Sequence, residues 1–162
     1  MSTLVCIPAF NEEKIIGKIV EECLKYSDQV VICDDGSIDK TFEEAELAGA
    51  ICLKHKKNLG KGAALRSLFD YAKNTNFDII VTIDGDGQFL PEEIPKLKKP
   101  IEDNGVDIVI GNRFSDMSEM PNYRKFGNKV LDKMTNLASE LSIADSQSGY
   151  RAYSKKSIEE IE

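Results

Sequence analysis

Residues 78–88 read Asp-Ile-Ile-Val-Thr-Ile-Asp-Gly-Asp-Gly-Gln, an apolar run that ends in two carboxylates. A run of this length, bounded by turn residues, is typical of a strand that is covered on both faces. Ligands of open α/β sheets bind just beyond the carboxyl ends of such strands. The stretch therefore predicts an α/β fold with a mainly parallel sheet and a binding site at the edge of that sheet.

The end of this run is a candidate metal site. Asp84 and Asp86 flank Gly85, where the backbone can bend so that both carboxylates face one cation, and Gln88 can add a third oxygen. Oxygen ligands of this kind favour Mg²⁺ or Mn²⁺, which in turn bind phosphate oxygens. Aspartate and glycine are also ordinary turn residues, so a solvated turn is the alternative interpretation.

The composition excludes several classes of protein. The chain has 162 residues, of which 41% are hydrophobic and 30% charged, as in a globular domain with a sizeable core. A formal net charge of −7 argues against nucleic-acid binding, which depends mainly on lysine and arginine clusters. The cysteines lie in apolar segments without metal-binding spacing, which predicts buried reduced thiols and a reducing compartment. The first residues lack a charged region followed by an apolar one, and no apolar stretch reaches roughly 18 residues, so we expect this part of the chain to be neither secreted nor membrane-spanning.

Strand-like runs alternate with helical spacing along the first 110 residues. The predicted strands are 4–7, 30–33, 50–53, 79–83 and 107–110. The predicted helices are 15–24, 39–48, 61–72 and 92–103. Because parallel neighbours need crossover connections, this order predicts a mainly parallel sheet covered by helices. Beyond it, a long helix is predicted over 126–141, and 146–153 form a turn that leads into a last strand.

Three more loops are expected at the same edge of the sheet. Loop 8–13 offers polar groups to a ribose or base, although Asn11 is equally typical of a helix N-cap. Asp34 and Asp35 are adjacent acids whose repulsion favours a bound ligand, such as a ribose hydroxyl or a base N–H. Loop 54–62 carries four lysines and two glycines before a predicted helix, which indicates either a phosphate site or a solvated basic loop.

The remaining candidates are a histidine and three arginines. His55 is the only histidine, so a Ser-His-Asp or Cys-His mechanism would depend on it alone, and we expect an inert surface imidazole. Arg113, Arg124 and Arg151 lie in turn-like segments. Arginine binds phosphate in a bidentate manner, which makes these residues candidate phosphate contacts. A plain surface cation is the alternative for each.

Together, these motifs resemble the family 2 glycosyltransferases with the GT-A fold, and within them the dolichyl- or polyprenyl-phosphate mannose or glucose synthases. The segments that carry the resemblance are 7–13, 34–41, 58–64, 84–88, 111–114 and 145–151. The resemblance implies a Rossmann-like three-layer α/β/α sandwich, with residues 1–162 as a single catalytic domain. Members of the family usually continue further, so we expect this chain to lack acceptor or membrane elements, to bind donor and metal, and to transfer weakly.

The resemblance also implies a reaction and its residues. It implies that a sugar is transferred, with inversion, from GDP-mannose or a UDP-hexose to a polyprenyl or dolichyl phosphate. It also implies that the chain acts in the cytoplasm or at the cytoplasmic face of a membrane, in peripheral contact with that membrane. The implied ligands of Mg²⁺ or Mn²⁺ are Asp84, Asp86 and Gln88. The residues implied to bind the nucleotide sugar are Pro8, Ala9, Asn11, Glu12, Asp34, Asp35, Ser37, Asn58, Gly60, Lys61, Gly62, Asp84 and Gly85.

The implied catalytic residues are Asp86, Asp145, Arg113 and Arg151. The two arginines would hold a donor or acceptor phosphate. A lipid phosphate is already ionised at neutral pH and needs no strong base, whereas a sugar hydroxyl acceptor would need one. Asp145 is the candidate for that base or for orienting the acceptor, and a turn-forming role is its alternative.

Two other functions fit part of the pattern. A sugar-phosphate nucleotidyltransferase shares the architecture and a carboxylate-bound metal. Its glycine-rich, arginine-bearing N-terminal loop is replaced in this chain by Pro-Ala-Phe-Asn-Glu at residues 8–12. A non-catalytic nucleotide-binding domain would also place polar groups at the sheet edge, without transfer chemistry.

Overall fold

The structure is a computed structural model that describes residues 1–88, 90–111 and 149–160. Within these ranges the strands are β1 (Thr3–Ala9), β2 (Gln29–Asp34), β3 (Ile51–Lys54), β4 (Ile79–Thr82), β5 (Ile108–Ile110) and β6 (Arg151–Ser154). The helices are α1 (Ile16–Leu24), α2 (Thr41–Leu47), α3 (Lys61–Lys73), α4 (Ile94–Asn104) and α5 (Lys155–Glu160), and a 3₁₀ turn covers Pro91–Glu93. The helix predicted over 126–141 lies outside the described residues.

The strands form one sheet in the order β3-β2-β1-β4-β6-β5. β1 pairs in parallel with β2 and β4, and β2 pairs in parallel with β3. β6 is antiparallel to both β4 and β5, so β5 runs in the same direction as β4. The predicted mainly parallel sheet is confirmed. The insertion of β6 between β4 and β5 is a feature that the local sequence pattern does not predict.

Helices cover both faces of the sheet. On β1, Val5 and Ile7 pack in the cluster that includes α1, α2 and α4, whereas Leu4 and Cys6 pack in the cluster that includes α3 and α5. All four side chains are fully buried. Because successive residues of a strand face opposite sides, two covered faces require a continuous apolar run. The predicted three-layer α/β/α sandwich is confirmed.

The cysteines are free thiols placed in or beside the core. Cys6, Cys23 and Cys33 are buried, and Cys52 is half-buried. Burial raises the pKa of Cys23 and of Cys33 to about 12, with nearby carboxylates adding to the effect. These thiols therefore stay protonated at neutral pH, in agreement with the predicted structural role. None of the described helices is long and apolar enough to cross a membrane.

Lys155 ties β6 to the end of α3 and the start of β4. Its Nζ donates hydrogen bonds to the carbonyl oxygens of Ala72 at 3.0 Å, Lys73 at 2.9 Å and Thr75 at 2.7 Å. The last carbonyl groups of a helix have no intrahelical donors and carry partial negative charge, so an ammonium group stabilises them. The backbone N–H of Lys155 donates to the carbonyl of Asp78 at 2.9 Å, just before β4.

We expect Lys155→Met to lower the free energy of unfolding by about 2 kcal/mol, because three carbonyl groups lose a charged donor. Lys156→Met is the matched control, since that side chain is 72% exposed and forms an ion pair at 3.8 Å with Asp107. The control should change the free energy of unfolding by less than about 0.5 kcal/mol. Urea unfolding followed by circular dichroism measures both, and equal losses would contradict the role given to Lys155.

Candidate active site

A cleft of about 300 Å³ opens at the carboxyl edge of the sheet. Its walls come from the segments that follow β1, β2, β3 and β4. The lining residues are Pro8, Ala9, Phe10, Glu12, Asp35, Asn58, Gly60, Lys61, Ala64, Asp84, Gly85 and Asp86. The strand order reverses between β1 and β4, and the cleft lies at the strand ends on either side of this point, where open α/β sheets bind their ligands.

The cleft brings together most of the residues predicted to bind donor or metal. Those that line it are Pro8, Ala9, Glu12, Asp35, Asn58, Gly60, Lys61, Asp84, Gly85 and Asp86. Predicted residues that lie outside the lining are Asn11, Asp34, Ser37, Gly62, Gln88 and Arg151. Arg113, Arg124 and Asp145 are outside the described residues. Phe10 and Ala64 line the cleft without having been predicted, although Ala64 follows Lys61 by three positions and so shares its helix face.

Asn11 joins two loops of the site and does not cap a helix. Its backbone N–H donates to Ser37 Oγ at 2.9 Å, and its Oδ1 accepts from the N–H of Ile38 at 3.0 Å. The N–H of Glu12 adds a bond to Thr41 Oγ1 at 2.7 Å. Helix α1 starts further along the chain without a side-chain cap. The N-cap interpretation of Asn11 is therefore wrong, and Asn11 and Ser37 join the loops that follow β1 and β2.

The adjacent acids Asp34 and Asp35 have separate surroundings. The carboxylate of Asp34 is fully buried, where Oδ1 accepts from the N–H of Ser37 at 2.9 Å and Oδ2 lies 3.7 Å from Lys54 Nζ. Asp35 is the acid of the pair that lines the cleft. Successive residues at a strand end point to opposite sides, which explains the separation. Asp35 is thus placed to face a ligand, and Asp34 is not.

Asp35 is held by donors from the loop before α3. Its Oδ1 accepts from His55 Nδ1 at 2.6 Å and from the N–H of Leu59 at 3.0 Å, and its Oδ2 accepts from the N–H of Gly60 at 2.7 Å. Burial alone would raise the pKa of Asp35, but these hydrogen bonds outweigh it and lower the pKa. The expected surface position of His55 is wrong, because its side chain is only 13% exposed.

The start of α3 forms the positive side of the cleft. The helix begins at Lys61 without a side-chain cap, after Gly60 with φ 92°. A positive φ of this size is open to glycine and strained for other residues. The first N–H groups of a helix have no intrahelical acceptor and carry partial positive charge. Together with the Lys61 ammonium, this helix end suits phosphate oxygens.

The loop after β4 forms the negative side. Asp84 Oδ1 lies 2.6 Å from Lys61 Nζ, and the Asp84 side chain is 17% exposed. Asp86 is exposed, and its Oδ1 accepts from the N–H of Gln88 at 3.0 Å. Burial raises the pKa of Glu12, and the charges of Asp86 and Asp39 raise it further. Negative charge is therefore concentrated in the cleft opposite Lys61.

The donor set of this loop fits a hard divalent cation. Asp84 and Asp86 supply carboxylate oxygens to an open cleft, whereas the side chain of Gln88 is exposed outside its lining. Across residues 1–88, 90–111 and 149–160, no three His, Cys, Asp or Glu side chains converge as a closed metal cage. Mg²⁺ is commonly bound through one or two carboxylates together with substrate phosphates, and the pair beside Lys61 matches this mode.

Asp84 is supported from behind by the segment that precedes β6. A Cβ atom at Gly149 would lie 2.5 Å from Asp84 Cγ and closer still to both carboxylate oxygens. The buried hydroxyl of Thr82 donates to the carbonyl of Gly149 at 2.9 Å and holds it there. Tyr150 Oη donates to the carbonyl of Leu90 at 3.2 Å, beyond the acidic loop. Sequence reasoning missed this support, because 67 positions separate Thr82 from Gly149.

Comparison with known proteins identifies relatives over nearly the whole chain. Residues 4–162 match the family model described as Glycosyl transferase family 2. A UDP-N-acetylglucosamine–dolichyl-phosphate N-acetylglucosaminyltransferase of Methanococcus voltae is 35% identical over 94% of this chain and 69% of its own length. A polyprenol monophosphomannose synthase of Mycolicibacterium smegmatis is 33% identical over 99% of this chain and 64% of its own length.

The fold is also similar to a solved structure, that of glucosyl-3-phosphoglycerate synthase from Mycobacterium tuberculosis in complex with Mn²⁺, UDP and phosphoglyceric acid. The TM-score is 0.70 at 25% sequence identity, over 96% of this chain and 56% of that one. The chain therefore spans only part of the length of each of these three proteins. The family model covers all but the first three residues, and the chain belongs to glycosyl transferase family 2, with the GT-A fold of that family.

Proposed function

We propose that this chain binds a nucleotide sugar with a divalent cation and transfers the sugar, with inversion, to a polyprenyl or dolichyl phosphate. The observation that carries the proposal is the 2.6 Å approach of Lys61 to Asp84, which sets a phosphate-binding helix end beside a carboxylate pair. A metal-bound diphosphate needs both groups, because the helix end binds its oxygens and the carboxylates bind its cation. The two curated relatives are named for different sugars, and both names include a polyprenyl-type lipid, so the lipid acceptor is the better supported part of the substrate.

The donor would lie along the strand ends. The N-terminus of α3 and Lys61 bind the diphosphate oxygens, and Asp35 accepts a hydrogen bond from a ribose hydroxyl or a base N–H. Asn58 Oδ1 accepts from the N–H of Gly60 at 3.0 Å, so Asn58 shapes the turn that leads to the phosphates. Pro8, at the carboxyl end of β1, forms part of the opposite wall.

In the transfer step, an oxygen of the acceptor phosphate forms a bond to the anomeric carbon while the bond from that carbon to the diphosphate breaks. The acceptor oxygen is already ionised, so no strong base is needed. Held by Asp84 and Asp86, Mg²⁺ or Mn²⁺ would supply neutralisation of the departing diphosphate. The Lys61 ammonium adds positive charge to the same group. Arg151 at the start of β6, together with Arg113 and Asp145, remains a predicted contact of the acceptor or donor.

The acceptor sets the place of the reaction. A polyprenyl chain stays in the bilayer, so its phosphate is presented at the membrane surface. We therefore place the chain at a membrane surface, in peripheral contact with the lipid. The free thiols of the four cysteines fit a reducing compartment, which favours the cytoplasmic side of that membrane.

We expect one UDP- or GDP-sugar, incubated with Mn²⁺ and a short polyprenyl phosphate in detergent, to release a nucleoside diphosphate and to label the lipid. The unphosphorylated polyprenol is the matched control and should leave release at its background, because it lacks the ionised oxygen. The measurements are coupled detection of the nucleoside diphosphate and extraction of labelled lipid. Pyrophosphate release from a nucleoside triphosphate and a sugar phosphate would instead indicate a nucleotidyltransferase.

Asp86→Asn should weaken binding of UDP or GDP in the presence of Mn²⁺ by about tenfold, because one charged ligand of the cation is lost. Titration calorimetry with and without Mn²⁺ measures the effect. Asp103→Asn, at an exposed position on α4, is the matched control and should bind as the unchanged chain does. A loss of the same size without metal would argue against a metal role for Asp86.

Gly149→Ala should weaken Mn²⁺-dependent nucleotide binding by about tenfold, because the new methyl group displaces the Asp84 carboxylate that it would overlap. Gly17→Ala is the matched control. A Cβ atom there meets its nearest neighbour, the Glu44 carbonyl oxygen, at an ordinary 3.5 Å, and Gly17 is not one of the residues that line the cleft. Calorimetry of both variants, with thermal unfolding as a check on the fold, decides whether Gly149 supports Asp84. Unchanged affinity in Gly149→Ala would refute it.

A further inference from the structure

The only histidine of the chain connects Asp35 in the cleft to Ser67 on α3. His55 Nδ1 lies 2.6 Å from Asp35 Oδ1, and His55 Nε2 lies 2.9 Å from Ser67 Oγ on α3. Cys33 Sγ approaches the same Nε2 at 3.6 Å. Both ring nitrogens therefore have partners, and the imidazole is fixed in its orientation.

The chemistry of the partners defines the ring protons. The carboxylate of Asp35 only accepts, so His55 Nδ1 carries a proton and donates. In the neutral ring, Nε2 accepts from the Ser67 hydroxyl, and in the charged ring it donates to the same oxygen. The chain Ser67–His55–Asp35 is consequently maintained in both charge states of the imidazole.

This chain determines which part of Asp35 remains open to a ligand. Among the described residues, Oδ1 accepts from both His55 and the N–H of Leu59, whereas Oδ2 accepts from the N–H of Gly60 alone. A carboxylate has about four acceptor positions, two on each oxygen. The remaining position is therefore on Oδ2, and Asp35 is one of the residues that line the cleft.

The loop between β3 and α3, which carries His55, packs closely against the turn that carries Asp35. Gly36 has φ 75°, and a Cβ atom there would overlap the backbone of Lys57 and lie 2.7 Å from the nitrogen of Asn58. The N–H of His55 also donates to the carbonyl of Asp34 at 2.9 Å. His55 thus lies between two segments that are in close backbone contact, and both of them contribute to the cleft.

The order Asp35, His55 and Ser67 is also that of a hydrolytic triad. Such a triad requires a nucleophile that reaches substrate. Ser67 follows Ala64 by one helical turn and lies outside the residues that line the cleft. A role in holding Asp35 fits this geometry, and a nucleophilic role for Ser67 does not.

We propose that His55 is a positioning residue for the nucleotide: by bridging Ser67 to Asp35, it directs the open acceptor position of Asp35 Oδ2 toward a ribose hydroxyl or base N–H in the cleft. This inference rests on the proposed function, because it requires a nucleotide in the cleft. It adds a residue that acts through Asp35 and touches neither sugar nor phosphate.

Two substitutions separate the bridge from simple packing. His55→Asn places an amide near the position of Nδ1, where it can still donate to Asp35, whereas His55→Gln places its amide near Nε2. By calorimetry with Mg²⁺, we expect the affinity for UDP or GDP to fall about tenfold in His55→Gln, which loses the donor to the charged Asp35, and about twofold in His55→Asn, which keeps it. Packing alone would favour the larger glutamine.

A single histidine also allows a direct spectroscopic reading. The ring ¹⁵N signals of the unchanged chain should show a protonated Nδ1 and should shift when UDP or GDP is added with Mg²⁺. Ser67→Ala should move the Nε2 signal and weaken nucleotide binding about threefold, as a lost neutral hydrogen bond does. If His55→Gln does not fold, Ser67→Ala is the deciding variant. Unchanged nucleotide binding in Ser67→Ala would then overturn the proposed role of His55.

The outcomes distinguish the two proposals. If the unchanged chain binds UDP or GDP and His55→Gln, when folded, binds equally well, the inference about His55 fails and the nucleotide site stands. If the unchanged chain binds neither nucleotide, the proposed function fails and the role of His55 fails with it. The expected order of affinity is unchanged chain, then His55→Asn, then His55→Gln.

Discussion

Parallel pairing on both sides of β1 is the constraint on which the cleft depends. β1 pairs with β2 from Leu4 to Ala9 and with β4 from Thr3 to Cys6. Because the three strands run in one direction, their carboxyl ends meet at one edge, and Pro8, Asp35 and Asp84 come together there. The strand order reverses beside β1, which leaves an opening between the connections on the two faces. The buried apolar strands thus form a rigid support that holds the polar side chains of the cleft close together.

The charges at this edge are complementary to each other and to a ligand that carries both signs. Lys61 at the start of α3 neutralises part of the charge of Asp84, and the carboxylates of Glu12 and Asp86 lie nearby. A nucleoside diphosphate with a bound cation presents negative oxygens to the first side and positive charge to the second. When such a ligand binds, the contact between Lys61 and Asp84 is replaced by two others, one from Lys61 to the phosphate oxygens and one from Asp84 to the cation. Neither Lys61 nor Asp84 is then left buried without a partner of opposite charge. Asp35 adds an acceptor for the neutral part of the ligand.

Local sequence pattern predicted the sheet and most of the cleft, because burial on both faces leaves a continuous apolar run and parallel topology then places the loops. It did not predict contacts between segments that are distant in the chain. The antiparallel β6, the support of Asp84 by Gly149, and the bridge made by His55 all depend on such contacts. A glycine or a histidine in a turn-like segment has the same local pattern whether it packs on a carboxylate or faces water. The N-cap prediction for Asn11 was wrong for a related reason. An asparagine side chain can accept a hydrogen bond from the first turn of a helix or from a neighbouring loop, and the local sequence does not distinguish the two.

The two adjacent acids show how one residue type serves two purposes. Asp34 Oδ2 is buried without a hydrogen-bond partner among the described residues, and the 3.7 Å to Lys54 is too long for one. Such an oxygen costs on the order of 1–3 kcal/mol of stability. Its partner Oδ1 holds the N–H of Ser37 and so closes the turn in which Asp35 lies. The same Lys54 ammonium lies 4.8 Å from the centre of the Phe42 ring, so it contacts both Asp34 and that ring. The stability lost at Asp34 is therefore linked to the turn that presents Asp35 to the cleft.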